Sequence, residues 1–151
     1  MRLLIYQYCR CIVQPILLSG FLLLSSVLVQ AQDLIVNPSV SVTNIKLKEL
    51  RAMYAMRRVH WPDGSPVNLV VYANDSPLHK VFSKELLAVF PHQLQTRWDK
   101  LVYSGRAAPP VKVNDEQAMI DYVAKTPGAI GYISSDHERP IGVRVISVTD
   151  K

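Results

Sequence analysis

No cysteine follows Cys11, so nothing beyond the first segment of this chain can form a disulfide, act as a thiol nucleophile or bind a metal through sulfur. Histidine is sparse. His60, His79, His92 and His137 fall in separate segments, and neither HExxH nor any comparable metal spacing occurs. No motif pairs two carboxylates for acid–base work. Asp75, Ser76 and His79 supply the letters of a hydrolase triad, but they crowd one helix start and cannot be arranged as orienter, nucleophile and base. Lys and Arg are nowhere interleaved with aromatics in a stripe, which argues against nucleic acid as a partner. Internal repeats and low-complexity tracts are absent too. Together these absences describe a non-enzyme with no metal and no cofactor.

What is present begins with a leader. Arg2 and Arg10 give a positive start, Ile12 to Val29 is an uncharged apolar run, and Val29-Gln30-Ala31 has the small-residue form of a signal-peptidase site. We expect cleavage after Ala31, export to a bacterial periplasm, and one domain over residues 32–151. An uncleaved anchor is the alternative, because a run of about 18 apolar residues approaches a membrane span. Cys9 and Cys11 go with the leader, and no cysteine stands at the cleavage point to carry a lipid. The net charge falls from +5 to +3 once Arg2 and Arg10 are removed. So small a positive field suits an anionic ligand or ordinary solubility.

Beyond the leader, strands and helices alternate. Asp33 to Val40 opens with a buried strand that Asn37-Pro38 ends. Leu47, Leu50, Met53 and Tyr54 recur at helical spacing and predict an amphipathic helix over 46–57, with Lys48, Arg51, Arg57 and Arg58 on its outer face. Trp61-Pro62-Asp63-Gly64 is a turn, and Val67 to Tyr72 is a second strand. Asn74-Asp75-Ser76-Pro77 is a helix start with Ser76 as N-cap and Pro77 at the first position, followed by the stripe Leu78, Val81, Phe82, Leu86 and Val89. Pro91 opens another helix, with Leu94, Trp98, Leu101 and Val102 inward. Ser104 to Pro110 is a loop whose Ser104-Gly105-Arg106 segment offers N–H groups to an anion. Asn114 and Gln117 form a capping-box pattern for a last helix that packs Met119, Tyr122 and Val123 inward. Thr126-Pro127-Gly128 stops that helix, and Ala129 to Ile133 and Val143 to Val148 are closing strands. Gly131 interrupts an apolar strand, which implies close approach of another backbone or a ligand. The alternation predicts an α/β lobe of three layers, with a mainly parallel mixed sheet, helices on both faces and right-handed crossovers. Ligands of such sheets sit at the carboxyl ends of strands, near helix starts.

Several of these segments, in order, resemble the phosphate-binding proteins of ABC transporters, within the type II periplasmic binding proteins. Val36-Asn37-Pro38-Ser39 resembles a strand that crosses between lobes. Leu47 to Tyr54 resembles the helix in which the family often has Phe at the place of Tyr54. Trp61-Pro62-Asp63-Gly64-Ser65-Pro66-Val67 is similar to the family's tryptophan turn, and Thr126 to Ile133 is the clearest match. A full member has two lobes that close on the anion, and this chain looks like the second lobe alone, without the Gly- and Ser-rich start that supplies half of the anion cage. The resemblance implies a single-lobe fold and phosphate or another oxyanion as ligand. It implies as partner a permease, a membrane sensor, a porin or a second copy of the chain docked on the uncovered cleft face.

The family grips phosphate with an Arg and a Ser-Gly-Thr helix start. Those positions fall here on Tyr72, Ser76, Pro77 and Leu78, so only Ser76 carries over. The site implied by the resemblance therefore draws on Asn74, Ser76, Leu78 and His79, with free N–H groups and the helix dipole doing most of the holding. Beside it stand two plainer readings, Ser76 as a simple cap and His79 as an exposed helix histidine.

Overall fold

In a computed structural model the described residues are 32–136 and 140–150. The expected leader, Cys9, Cys11 and His137 lie outside them. None of the described helices is long and apolar enough to cross a membrane.

Among the described residues six strands form one sheet: β1 (Gln32–Val36), β2 (Asn44–Lys46), β3 (Asn68–Tyr72), β4 (Val111–Val113), β5 (Ala129–Ser134) and β6 (Arg144–Thr149). Their spatial order is β2-β6-β1-β5-β3-β4. The helices are α1 (Leu47–Tyr54), α2 (Pro77–Val81), α3 (Pro91–Tyr103) and α4 (Glu116–Lys125), and α2 runs directly into a π-helical turn, Phe82–Leu86. Pairings β2·β6, β3·β4 and β3·β5 are parallel, as the alternation predicts. β1 is the exception and runs antiparallel to both of its neighbours, β5 and β6.

Both faces of the sheet centre are covered. Leu34 to Val36, Leu69 to Tyr72 and Ala129 to Ile133 are buried at every position, the pattern of strands packed on two sides. Successive residues of β5 point to opposite faces. A Cβ at Gly131 would stand 2.4 Å from Met119 Sδ and 3.2 Å from Val123 Cγ2, so α4 lies against that face. What approaches Gly131 closely is thus a helix side chain, where the sequence suggested a backbone or a ligand. Tyr132, on the other face, stacks on Phe82 with centroids 3.7 Å apart and meets Tyr54 edge-on at 6.2 Å. That face belongs to α1, α2 and the π turn, and α3 joins them when Trp98 Nε1 donates to the Tyr54 carbonyl at 2.7 Å.

The segments that carry the resemblance form a hub behind the sheet. Asn37 Nδ2 donates to the carbonyls of Val123 and Ala124 at 2.8 and 2.9 Å, satisfying two end groups of α4. Gly128 takes φ +70, and a Cβ there would lie 2.2 Å from the Pro66 carbonyl oxygen. The Gly128 carbonyl accepts from Trp61 Nε1 at 2.9 Å, and its N–H donates to Ser39 Oγ at 3.1 Å. The turn is therefore glycine for two reasons, a left-handed backbone and the lack of space for a side chain.

Several local expectations shift. The helix expected to reach residue 57 ends at Tyr54. The stripe from Leu78 to Val89 is broken by the π turn and by Ala88 at φ +56. The cap of α4 is Asp115, whose Oδ1 accepts the Ala118 N–H at 2.8 Å, so Asn114 and Gln117 do not form the capping box. Leu101, Val102 and Tyr122 are half-buried, while Leu94, Trp98, Met119 and Val123 are buried. Ser104-Gly105-Arg106 has no N–H to offer an anion. Those three groups donate to the carbonyls of Lys100, Val102 and Leu101 and close off α3.

Candidate functional site

β3 and β4 run parallel, and their carboxyl ends open beside the starts of α2 and α4. A groove of about 350 Å³ lies there, lined by Tyr72, Ser76, Pro77, Leu78, Asn114, Asp115 and Glu116. It is where a sheet of this kind places a ligand.

Ser76 holds the N-cap position of α2, with φ −55 and ψ 130, but its hydroxyl makes no capping bond. This corrects the expected cap. The hydroxyl is left over, and the first-turn N–H groups of Leu78 and His79 gain no side-chain acceptor. Pro77 contributes no N–H at all. Leu78 is half-buried at the groove wall, and its carbonyl accepts from Gln32 Nε2 at 3.1 Å.

The other two expected residues turn away. Asn74 Nδ2 reaches Gln95 Oε1 on α3 at 3.4 Å, and its own Oδ1 is buried without a hydrogen-bond partner among the described residues. His79 is fully buried instead of exposed. Its Nδ1 lies 2.5 Å from Tyr132 Oη and its Nε2 3.5 Å from Ser83 Oγ. Tyr132 Oη also accepts the Tyr72 N–H at 3.4 Å. One assignment serves every group: Tyr132 donates to Nδ1, and Nε2–H donates to Ser83. Burial first, and the Lys112 ammonium second, pull the His79 imidazole down to about 4. The ring is a neutral core group at pH 7, so only the backbone of His79 faces the helix start.

Four groove residues had no place in the expected site: Tyr72 as a phenol, Asn114, Asp115 and Glu116. Asp115 and Glu116 follow, after Asn114, a β4 too short to be read as a strand, and a strand end before a helix was the signal that would have found them. Both carboxylates have work. Asp115 caps α4, and Glu116 Oε1 accepts the Ser134 N–H at 2.8 Å. Tyr72 is 2% exposed, and its Oη is buried without a hydrogen-bond partner among the described residues. Burial, then the negative Glu116 and Asp115, push its phenol well above the usual range, so it stays a neutral donor. Among the described residues no Lys or Arg lines the groove. Among the described residues no group of three or more His, Cys, Asp or Glu side chains could hold a metal ion.

No protein-family model and no curated protein matches this chain. Solved structures do. An ABC-type phosphate transport receptor from Vibrio cholerae aligns at TM-score 0.62 and 19% identity, over 79% of this chain and 46% of the receptor. A putative phosphate ABC transporter substrate-binding protein from Clostridium perfringens, solved with bound phosphate, aligns at TM-score 0.64 and 17% identity, over 80% and 46%. PstS from Borrelia burgdorferi aligns at TM-score 0.61 and 19% identity, over 79% and 47%. The chain thus spans less than half the length of each. The likeness gives the fold: an α/β unit similar to part of a phosphate ABC transporter substrate-binding protein, as the residues quoted from Val36 to Ile133 implied.

Proposed function

We propose that this chain is a non-enzymatic, solute-binding-like lobe exported to the periplasm, whose groove at the Ser76 helix start holds phosphate or sulfate weakly or not at all. The likeness to phosphate transport receptors supports a solute-binding ancestry for the scaffold. The observation that carries the weak affinity is the charge of the groove: among the described residues Asp115 and Glu116 line it and no cation does. An oxyanion there meets the Ser76 hydroxyl, the Leu78 and His79 N–H groups, the Tyr72 phenol and, after rotation, the Asn74 amide. Against these contacts stand two carboxylates, and repulsion between like charges at a partly buried site offsets much of what a helix end provides. An open groove on a single lobe also leaves the ligand hydrated. Titration calorimetry with phosphate and sulfate at low salt tests the reading. Millimolar to high-micromolar affinity, or none, is expected, and sub-micromolar binding by a monomer overturns it.

A second reading is favoured by Tyr103 and Ile141, which are 90% and 93% exposed. Large apolar side chains standing this far into solvent suit a docking module whose partner is a permease, a membrane sensor, a porin or a second copy. Sedimentation at rising concentration tests the last form. A dimer that Tyr103→Ser or Ile141→Ser dissolves supports it, and a monomer at every concentration counts against it.

A further inference from the structure

A second groove lies at the opposite end of β3. Asn68 and Leu69, at the start of that strand, line it, whereas Tyr72 at its finish lines the first groove. Four residues of extended chain separate the two by about 13 Å. This groove has a volume of about 320 Å³, within the range of small-molecule sites. Its lining differs in kind from the first. Met53, Met56, Leu69 and Val111 make an apolar wall, Arg58 and Arg106 stand among the lining, and among the described residues no Asp or Glu does.

The two arginines are not equivalent. Arg58 Nη1 is paired with Glu49 Oε1 at 2.7 Å, so its charge is largely spoken for. Arg106 has no ion pair among the described residues. Its backbone N–H donates to the Leu101 carbonyl at 2.9 Å and anchors this groove residue just past α3, while its guanidinium has no hydrogen-bond partner among the described residues.

Met56 adds a separate observation. It follows α1 with φ +53, a position where helices ordinarily end in glycine. Its N–H donates to the Met53 carbonyl and the Arg57 N–H to the Ala52 carbonyl, both at 2.8 Å, so this backbone is the helix stop itself. A left-handed conformation at a long side chain is strained, and the pliable thioether it holds in place forms part of the groove wall. Glycine would relieve the backbone and empty the wall.

From the apolar wall, the free guanidinium and the absence of acid we infer that this groove binds a small amphipathic monoanion, a carboxylate with an aliphatic or aromatic body. The tail lies along Met53, Met56 and Leu69, and the carboxylate takes a charge-assisted hydrogen bond from Arg106. The inference is independent of oxyanion binding at Ser76, since the two sites share no lining residue.

Octanoate is the probe, titrated into the purified chain by calorimetry, with amide chemical-shift mapping to locate it. Three comparisons read the three parts of the proposal. Octanoate binds about tenfold tighter than octylammonium, which has the same tail and the opposite charge, and about tenfold tighter than acetate, which has the charge without the tail. Arg106→Gln, at an exposed position where folding is not at risk, weakens octanoate about fivefold and leaves phosphate unchanged. Met56→Gly keeps the left-handed helix stop without strain and weakens octanoate about threefold. Equal binding of octanoate and octylammonium overturns the proposal, as do shifts confined to residues outside this groove or undiminished affinity in both variants. Phosphate binding at Ser76 is read by a separate titration, and octanoate does not compete with it, so either reading fails without the other.

Discussion

His79 shows how one side chain changes meaning with its surroundings. The apolar stripe Leu78, Val81, Phe82 points the helix one way, but the buried face is His79, Phe82, Ser83, shifted by one position. The spacing of that face is helical and its two polar members bond each other at i and i+4, so its register is visible only once Tyr132 is known to wait opposite. The imidazole therefore titrates at about 4 in the folded protein against 6.5 in the open chain. The folded state binds fewer protons over this window. Stability from the neutral ring is complete above pH 6.5 and is lost as the pH falls toward 4. By this group alone the protein is about 2 kcal/mol less stable at pH 5 than at pH 7. Urea unfolding at the two pH values measures the difference, and it shrinks in His79→Leu while other acid-sensitive groups stay. An equal pH dependence in wild type and variant would refute the assignment.

At the level of elements, the two helix starts that meet at the first groove differ in electrostatic design. α2 begins with a serine that does not cap and a proline that cannot donate. α4 begins with an aspartate that caps it and charges the groove. The two roles of Asp115 are separable, because asparagine caps as well as aspartate does. Asp115→Asn is expected to hold the melting temperature within about 2 °C and to tighten phosphate binding about threefold or more at low salt. Unchanged phosphate affinity would show that the carboxylate does not govern the site. β3, β5 and the first turn of α2 are legible from composition, because apolar runs and an Asn-Asp-Ser-Pro start have few other meanings. β2 and β4 are not. Three residues at the sheet edges, Asn44–Lys46 and Val111–Val113, are too short to show a period. Missing β4 hid the acidic half of the groove, so Asp115 and Glu116 have no place in the expected site, whereas Ser76 and Leu78 do line it. The antiparallel run of β1 was hidden for another reason: strand direction depends on partners about a hundred residues away.

For the molecule as a whole, the same long-range ties predict one cooperative unfolding transition. Trp61 sits in the hub with Gly128, and Trp98 is bonded to α1 across the aromatic cluster. Both tryptophans are buried, so fluorescence reports from two distant places at once. Fluorescence and far-ultraviolet circular dichroism should give coincident curves in urea. A separate early transition in Trp61→Phe or Trp98→Phe would mean that the hub and the cluster melt apart.

β1 has no neighbours in the sheet except β5 and β6. Its residues pair with Ile130 to Ser134 and Arg144 to Ile146, about a hundred positions further along the chain. The middle of the sheet therefore closes only when segments about a hundred residues apart meet, and loop-closure entropy makes that event slow. Until they meet the sheet lacks its central strand, so a chain of this topology waits longer for its shape than one whose successive strands pair with each other.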